Sequence, residues 1–376
     1  MGDVFITGVT GFLGRHLAAR LLRNRDDVDR LQCLVRCDDD EHGRKRLRRS
    51  LSRAVAEADL DGLMERMDVV RGDLTLPQLG LDDDAFAALA ARCDVVLHSA
   101  ADVRFNQDLQ DARDRNVQGT ARVTELAREA ARTGLRRFDW VGTAFVAGLR
   151  RDRVGEDELT HEAGWKNSYE QSKYEAESWL REHAADLPLT VYRPSIIVGE
   201  STTGATSNFG MLYWPVQIYA RGWWRTIVGD ASTVVDVVPV DYVADAIEAL
   251  GRGTEHVGGT FHLAAGPEGS LTIEQIAAVV RVFFGGKPPR YVDPDFFMTW
   301  VRPVADLFIW GKKRRVIREG GTFFIPYFSG NPLFDTTKAS AALEPLGVRP
   351  PKVEEYLSTI FEYARSTDFG RRAVEG

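Results

Sequence analysis

Cysteine is scarce in this sequence: Cys33, Cys37 and Cys93 are three among 376 residues. Their spacing forms neither a CxxC pair nor a framework of paired cysteines, so a disulfide-stabilised secreted fold is excluded. Cysteines and histidines also do not cluster at the spacing of metal ligands, and we therefore expect no metal site. The composition fits a protein of a reducing compartment.

Long hydrophobic runs are lacking as well. The longest stretch without a charged residue, 201–220, contains Pro215 and several Ser, Thr, Asn and Gln residues, which makes it a poor transmembrane candidate. The chain opens on a strand-like run rather than on the charged leader and apolar core of a secretory signal. We expect a cytoplasmic protein with no transmembrane segment.

Positive charge is not in excess. The 48 Lys and Arg residues face 55 Asp and Glu residues, which gives a formal net charge of −7. A nucleic-acid binder requires a net or strongly localised basic surface that neutralises phosphates, so we expect no nucleic-acid partner. Two local basic clusters, 36–53 and 312–318, are expected to be mainly solvated helix faces.

Short runs of β-branched residues alternate with longer amphipathic stretches over roughly the first 200 residues. This alternation is typical of βαβ units and predicts an α/β fold, a Rossmann-type doubly wound parallel sheet. The predicted strands are 4–7, 31–35, 69–71, 95–98, 138–141 and 190–192. The predicted helices include 14–25, 44–58, 112–132, 169–185 and 240–250.

The first predicted strand runs into a glycine-rich turn, TGVTGFLG, at residues 7–14. A TGxxGxxG pattern between a strand and a helix lets the backbone approach a pyrophosphate at the helix N-terminus. We therefore expect a dinucleotide cofactor at this turn. The residues expected to contact it here are Gly8, Thr10, Gly11, Phe12, Leu13 and Gly14.

Other strand ends carry further candidate cofactor contacts. Arg36 ends the second strand, where an NAD site has an acidic residue and an NADP site tolerates Arg for the 2′-phosphate, so Arg36 favours NADPH. Arg46 is either a second cation for this phosphate or one more solvated charge. Asp73, followed by Leu74, either accepts from the adenine amino group or caps the next turn. After the fourth strand, small residues let the backbone lie against the cofactor: Ser99, Ala100 and Ala101.

This cofactor assignment suggests how the chain is divided. We assign 1–200 and 230–266 to an NADP-binding Rossmann domain. The segments 200–230 and 267–376 are assigned to a smaller, mostly helical C-terminal substrate lobe. Ligands of open α/β sheets bind at the carboxyl ends of the strands, so we expect the lobe to lie over that edge.

The candidate reacting groups are Tyr169 and Lys173, which form a YxxxK pattern and lie one helical turn apart. A nearby ammonium group favours the phenolate and brings the tyrosine closer to useful acid–base behaviour. Thr143, just past the fifth strand, is expected to bond the substrate carbonyl oxygen. Asn116 either binds backbone or a water that links Lys173 to solvent, or is a buried structural residue. His98 is expected to be a core or supporting residue.

Eight segments, in this order, resemble the extended short-chain dehydrogenase/reductases. They are TGVTGFLG, the LVR that ends strand two, GDL, HSAADVRF, NVQGT, VGTAFVAG, YEQSK and YRPSIIVG. The glycine turn, the pair Arg36 and Arg46, and segment 100–105 are more narrowly similar to the branch that contains fatty acyl-CoA reductases and the terminal reductase domains of carboxylic acid reductases. The likeness extends from residue 3 to about residue 265. It implies further cofactor contacts from Pro194 and Ile196.

The resemblance implies NADPH-dependent reduction of an acyl thioester, carried by coenzyme A or an acyl carrier protein, to an aldehyde. Some members of the branch continue to the alcohol. The alternative is an extended dehydrogenase that acts on a sugar nucleotide, a sterol or another secondary alcohol or ketone. An NADPH-binding regulatory protein without turnover has no need for Tyr169 and Lys173, which weighs against that class.

Two aromatic and apolar groups, 209–224 and 296–310, bear on the choice of substrate. They either line an acyl tunnel or pack as ordinary core. A third interpretation, an interfacial patch that gives peripheral membrane contact, rests on the basic residues 312–315, which directly follow the second group. A polar substrate predicts a polar lobe, which the Trp and Phe content disfavours.

Overall fold

Seven parallel strands form the main sheet of the protein, which we describe from a computed structural model. The structure describes residues 2–223, 226–301 and 325–372. Trp224, Phe308, Trp310 and the basic cluster 312–318 lie outside these residues. The strands of the main sheet are β1 Gly2–Thr7, β2 Val28–Val35, β3 Met67–Arg71, β4 Cys93–His98, β5 Arg137–Val141, β7 Leu189–Pro194 and β12 Thr260–Leu263.

The strand order is β12-β7-β5-β4-β1-β2-β3, so the chain reverses its direction of travel across the sheet between β1 and β4. Loops that follow these two strands diverge and leave a crevice at their carboxyl ends. The doubly wound α/β fold expected from the sequence is therefore confirmed, and its topology places the expected ligand site beside the loop after β1.

Eight helices accompany the first 250 described residues. They are α1 Phe12–Asn24, α2 Asp40–Leu51, α3 Glu57–Glu65, α4 Asp83–Arg92, α5 Leu109–Ala131, α6 Ser168–His183, α7 Tyr213–Ala220 and α8 Val240–Leu250. Helices α1, α2, α3 and α8 cover one face of the sheet, and α4, α5 and α6 cover the other. Residues of β1 alternate between these two cores, because Val4 and Ile6 face the first and Phe5 faces the second.

The remaining described elements are short strand pairs and helices. The pairs are β6 Arg153–Val154 with β15 Leu333–Phe334, β8 Ile196–Val198 with β11 Val237–Pro239, β9 Thr226–Val228 with β14 Arg290–Val292, and β10 Val234–Val235 with β13 Leu271–Thr272. The helices are α9 Gly266–Gly269, α10 Ile273–Phe284, α11 Pro294–Phe296, α12 Thr337–Leu343 and α13 Val353–Ser366. A third core joins α7, α10 and α13. Within the described ranges, the structure contains no helix that is both long and apolar enough to span a bilayer.

One predicted helix, 44–58, is divided in the structure. Helix α2 begins earlier, at Asp40, because the Asp39 carboxylate accepts the backbone N–H of His42 at 2.7 Å and caps the first turn. It ends at Leu51, and α3 begins only at Glu57. The periodic pattern of basic and apolar residues continues through this break, which is why the sequence predicted one helix.

Glu156 connects helix α12, in the C-terminal part of the chain, to strand β12 of the main sheet through hydrogen bonds. Its side chain is buried and accepts three backbone N–H groups, from His262 on β12 at 2.9 Å and from Lys338 and Ala339 at the start of α12 at 2.6 and 3.0 Å. Burial raises the pKa of this carboxyl group, while the three hydrogen bonds oppose the rise. The side chain thus connects two distant segments through hydrogen bonds that water cannot easily replace.

We expect Glu156→Ala to lower the free energy of unfolding by about 3 kcal/mol, because it leaves buried backbone donors without an acceptor. Urea unfolding followed by circular dichroism measures the change. The matched control is Asp157→Ala, which removes an ion pair between Lys338 and a carboxylate that is 78% exposed. This control is expected to change stability by less than about 0.5 kcal/mol. Equal effects of the two substitutions would contradict the role given to Glu156.

Candidate functional site

A cleft of about 680 Å³ lies at the carboxyl ends of the main strands. Seventeen of the nineteen residues that the sequence analysis names as site candidates line it. These are Gly8, Thr10, Gly11, Phe12, Leu13, Gly14, Arg36, Arg46, Asp73, Leu74, Ser99, Ala100, Ala101, Thr143, Tyr169, Pro194 and Ile196. The other two candidates, Asn116 and Lys173, are buried behind the cleft wall.

The glycine turn brings three segments of backbone into close contact. Gly8 has a φ of +77°, and a Cβ atom on it would lie 2.7 Å from the backbone nitrogen of Ala100. A Cβ atom on Gly14 would lie 2.1 Å from the carbonyl oxygen of Gly8. Both positions therefore require glycine.

The first turn of α1 is open to an anion. Gly11 is its N-cap, and no side chain in the described part of the chain caps the helix there. The first turn also contains no acidic residue. The N–H groups of a helix's first turn have no partner within the helix, and together with the helix dipole they fit the pyrophosphate of a dinucleotide.

Two arginines lie together at the far end of the cleft, beyond β2. The Arg46 guanidinium donates to the backbone carbonyl oxygen of Arg36, and both arginines line the cleft. Arg36 Nη1 is 3.9 Å from Asp73 Oδ2. The other carboxylate oxygen of Asp73 accepts from the backbone and hydroxyl of Thr75, both at 2.8 Å. Asp73 thus caps the turn after β3 and also faces the cleft.

His98 supports the segment after β4 from below. Its Nδ1 atom is 2.6 Å from the Thr7 hydroxyl, which accepts the backbone N–H of Ala100 at 3.2 Å. Its Nε2 atom is 3.2 Å from the Thr120 hydroxyl. Burial lowers the pKa of His98 to about 3, so the imidazole is neutral at physiological pH. This histidine positions the cleft wall and does not line the cleft.

Helix α6 presents Tyr169 to the cleft. Asn167 caps the helix by accepting the backbone N–H of Glu170 at 3.0 Å, which places Tyr169 in the first turn. Burial raises the pKa of Tyr169 to about 12, although a hydrogen bond with the Thr143 hydroxyl opposes the rise. Thr143 Oγ1 also lies 3.4 Å from the carbonyl oxygen of Pro194. The hydroxyl groups of Thr143 and Tyr169 are therefore neighbours on the cleft wall.

Lys173 lies one turn further along α6 and is fully buried. Its ammonium group donates to the carbonyl oxygen of Val141 at 2.9 Å and lies 4.0 Å from the centroid of the Trp140 ring. Burial lowers the pKa of Lys173 to about 7, while the charge of Glu177 opposes this change. The sequence analysis expected the lysine to lower the pKa of Tyr169, but burial of the phenol has the larger effect in this structure.

Asn116 connects α5 to two neighbouring segments. Its amide accepts the backbone N–H of Asp102 at 2.8 Å and donates to the carbonyl oxygen of Asp102 at 3.1 Å. The same amide nitrogen donates to the Ser172 hydroxyl at 2.9 Å. Of the two interpretations that the sequence left open, this geometry corresponds to a buried amide bound to backbone.

Tyr327 is a cleft residue that the sequence analysis missed. Its hydroxyl donates to Glu170 Oε1 at 2.6 Å and accepts from Asn167 at 2.8 Å, so it is bonded to residues on both sides of Tyr169. Its ring stacks on Phe105 with centroids 6.0 Å apart, and the Phe105 ring is 5.9 Å from that of Tyr169. No local pattern marks Tyr327, because only tertiary packing brings it to α6.

Part of the cleft wall is apolar. It includes Phe105, Phe145, Ile197, Met211 and Tyr327. Of the described members of the first aromatic group, Met211 lines the cleft, whereas Tyr213 and Ile218 are buried outside it. In the second group, Phe296 and Trp300 are exposed. The described residues also contain no group of three or more His, Cys, Asp or Glu side chains that is arranged to hold a metal ion.

Comparisons with known proteins agree with this geometry. A NAD-binding family model, described as Male sterility protein, matches residues 6–247. A putative fatty acyl-CoA reductase of Drosophila melanogaster is 26% identical over 326 residues, which are 77% of this chain and 59% of that protein. An isonitrile lipopeptide synthase of Mycobacterium tuberculosis is 31% identical over 328 residues, 80% of this chain but 13% of that protein. The chain thus spans less than two thirds of the length of these relatives.

Two solved structures cover nearly the whole chain. The terminal R domain from the myxalamid PKS-NRPS biosynthetic pathway has a TM-score of 0.83 and 28% identity, over 98% of this chain and 92% of that one. The reductase (R) domain of a nonribosomal peptide synthetase from Mycobacterium tuberculosis has a TM-score of 0.73 and 26% identity, over 99% and 92%. The resemblance that the sequence indicated is confirmed, and membership of an NAD(P)-binding family supports a nucleotide cofactor.

Gly14→Ala is expected to weaken binding of the reduced dinucleotide at least about tenfold, because its Cβ atom displaces the turn that faces the pyrophosphate. Titration of nicotinamide fluorescence with the purified protein measures the dissociation constant. Gly62→Ala in α3 is the control, since a Cβ atom there meets nothing within 4 Å. Unchanged binding by Gly14→Ala would show that the dinucleotide does not use this turn.

Proposed function

The chain belongs to the male sterility protein family, and from this premise we propose that it is an NADPH-dependent reductase of acyl thioesters that releases an aldehyde. The acyl group is carried by coenzyme A or by a carrier protein. The observation that carries the proposal is the pair of hydroxyl-bearing side chains, Thr143 and Tyr169, which both line the dinucleotide cleft beside apolar residues. The two interact, because the Thr143 hydroxyl opposes the rise in the pKa of Tyr169.

The preference for NADPH over NADH rests on Arg36 and Arg46. Both line the cleft beyond β2, where the adenosine ribose of a dinucleotide binds in this fold. An NAD site has an acidic residue at the end of this strand, whereas this chain has Arg36. The carboxylate of Asp73 lies 3.9 Å from the Arg36 guanidinium and partly neutralises it. The hydrogen bond that the described residues give Arg46 goes to a backbone carbonyl oxygen, which does not neutralise its charge. A 2′-phosphate therefore meets two cations at this end of the cleft.

A dinucleotide bound in this cleft would supply a hydride to the thioester carbonyl carbon. The hydroxyl groups of Thr143 and Tyr169 then donate hydrogen bonds to the oxygen on which negative charge develops. Tyr169 is protonated at neutral pH because its pKa is about 12, so it can transfer a proton to this oxygen and yield a hemithioacetal. The hemithioacetal collapses to an aldehyde and a thiol, and the ammonium of Lys173, one turn away, stabilises the phenolate until it is reprotonated.

The chemistry of the wall favours an acyl substrate over a sugar nucleotide. The Phe105 ring lies 5.9 Å from that of Tyr169, and the rings of Tyr327 and Phe145 continue this aromatic cluster. Ile197 and Met211 add aliphatic surface to the cleft. Such a surface is stabilised by apolar groups and leaves sugar hydroxyls without partners. A secondary alcohol or ketone of apolar character is the remaining alternative.

The test of this function is NADPH oxidation by the purified protein with acyl-CoA thioesters of increasing chain length and with acyl groups on a phosphopantetheinylated carrier protein. Products are identified by mass spectrometry. We expect an aldehyde, or the alcohol formed from it, together with one equivalent of free thiol. Oxidation of NADPH with ketones but with none of the thioesters would contradict the proposal and favour the alcohol dehydrogenase alternative.

Tyr169→Phe is expected to lower turnover roughly 10²–10³-fold, because it removes one of two oxyanion donors and the acid. Binding of NADPH should change less than about threefold, since the ring itself remains. The control is Tyr174→Phe in the same helix, whose ring packs on Trp165 and does not line the cleft. Equal activity of the two variants would exclude Tyr169 as the acid.

Arg36→Ala is expected to weaken NADPH binding by about tenfold or more while NADH binding is unchanged, because only NADPH has a 2′-phosphate. The dissociation constants are measured by fluorescence titration with both dinucleotides. Arg49→Ala is the control: this exposed arginine lies on α2 like Arg46 but does not line the cleft. A parallel loss for NADPH and NADH would contradict the assignment of Arg36 to the 2′-phosphate.

A further inference from the structure

Trp140 lies directly beneath Lys173. It is the fourth residue of β5, its side chain is fully buried, and its ring centroid is 4.0 Å from the Lys173 ammonium. The ammonium has three donors, and the hydrogen bond recorded for it goes to the carbonyl oxygen of Val141 at 2.9 Å. The face of an indole ring carries partial negative charge and attracts a cation placed over it. Trp140 thus joins the Val141 carbonyl oxygen and the charge of Glu177 in compensating for the water that this ammonium has lost.

The indole ring is held in one orientation by its own contacts. Its Nε1–H donates to the Thr120 hydroxyl at 3.2 Å, and that hydroxyl donates to the carbonyl oxygen of Asn116 at 2.7 Å. The opposite edge of the ring lies under the loop after β5, because a Cβ atom on Gly142 would be 2.5 Å from Cζ3 of Trp140. The ring therefore fills the space between Lys173 and the turn that carries Thr143.

We propose that Trp140 is a positioning residue for the proposed reaction: its face holds the ammonium of Lys173 and its edge sets the turn before Thr143. This inference rests on the proposed function, since Lys173 and Thr143 act there with Tyr169. One core residue thereby places two of the three groups. The glycine at position 142 follows from it, because a larger residue collides with the ring.

Lys173 changes between its charged and neutral forms near neutral pH, so a contact with the Trp140 ring can shift the balance between them. Burial lowers the pKa of Lys173 to about 7, so the charged and neutral forms have similar free energies near neutral pH. A cation–π contact away from water stabilises the charged form. Without it, Lys173 becomes neutral at a lower pH and no longer stabilises the phenolate of Tyr169.

The groups that surround Lys173 keep the same protonation state near neutral pH, so Lys173 is the group that changes charge there. On α6 it is flanked by Tyr169, whose pKa is about 12, and by Glu177, which forms a buried ion pair at 2.6 Å with Arg193 of β7. From β4 it faces His98, whose pKa of about 3 keeps it neutral. The side chains that α5 contributes here, Asn116 and Thr120, do not titrate.

The test replaces Trp140 with Leu and with Phe and uses Phe138→Leu as the matched control. Phe138 lies two residues earlier on the same strand and is buried in the same core, so its truncation leaves a comparable cavity without touching Lys173. The first readout is the pH dependence of turnover. The second is a ¹³C NMR titration of the full chain labelled at lysine Cε, with the Lys173 signal assigned by its loss in Lys173→Met.

Trp140→Leu is expected to lower the pKa of Lys173 by about one pH unit and to move the alkaline limb of the turnover profile down by the same amount. At the pH where the wild type is half-active on that limb, turnover falls about fivefold. Trp140→Phe keeps a ring face and is expected to restore most of the shift, which also covers a failure of Trp140→Leu to fold. Phe138→Leu should leave both readouts unchanged.

The two readouts distinguish a failure of the inference about Trp140 from a failure of the proposed function. The same Lys173 pKa and the same alkaline limb in Trp140→Leu and Phe138→Leu would overturn the inference and leave Trp140 as ordinary core. The NMR titration does not depend on any substrate. If no thioester is reduced by the wild type but the Lys173 pKa falls in Trp140→Leu, the proposed function fails while the contact between Trp140 and the ammonium stands.

Discussion

The close approach of backbone at the glycine turn is the constraint on which the site depends. Gly8 and Gly14 have no room for side chains, because the loop after β1 packs against the segment that contains Ala100 and against itself. This contact occurs where the strand order reverses between β1 and β4, so it leaves the N-terminus of α1 open to the crevice. The crevice for the cofactor therefore follows from the strand order and the backbone of the glycine turn. The side chains around the crevice add specific contacts to it.

Burial, rather than pairwise attraction, sets the protonation of the groups proposed to react. Tyr169 is held in its acid form and Lys173 is brought near the point at which it loses its charge, both by removal from water. A protonated phenol beside a second hydroxyl suits donation to a developing oxyanion, which is the direction required for reduction. The lysine then depends on few compensating contacts, among which the Trp140 ring is prominent.

Local patterns in the sequence were enough for the sheet and for most of the cleft. Each predicted strand of the first 200 residues lies within an observed strand, and helix α8 has the predicted bounds of 240–250. The strand-end residues reach one cleft because carboxyl ends of parallel strands share one edge. The break between α2 and α3 was missed because the periodicity of that segment persists through residues 52–56.

Residues that arrive by tertiary packing could not be inferred in this way. Tyr327 reaches α6 from a distant segment, and nothing in its neighbourhood indicates that its hydroxyl bonds Glu170 and Asn167. Glu156 looks like one acidic residue among several, yet its carboxylate accepts backbone N–H groups of β12 and α12. Trp140 reads as a strand residue, and only the three-dimensional arrangement places its ring under Lys173. The chemistry of such positions depends on partners that are remote in sequence.

The proposed reaction requires that a hydride reaches the carbonyl carbon of a thioester in this cleft. Its most direct test uses NADPH that carries deuterium at both C4 positions, with an acyl thioester as substrate and mass spectrometry of the products. We expect an aldehyde with a single deuterium at C1, formed together with one equivalent of free thiol. Oxidation of the dinucleotide without thiol release, or an aldehyde that carries no deuterium, would contradict it.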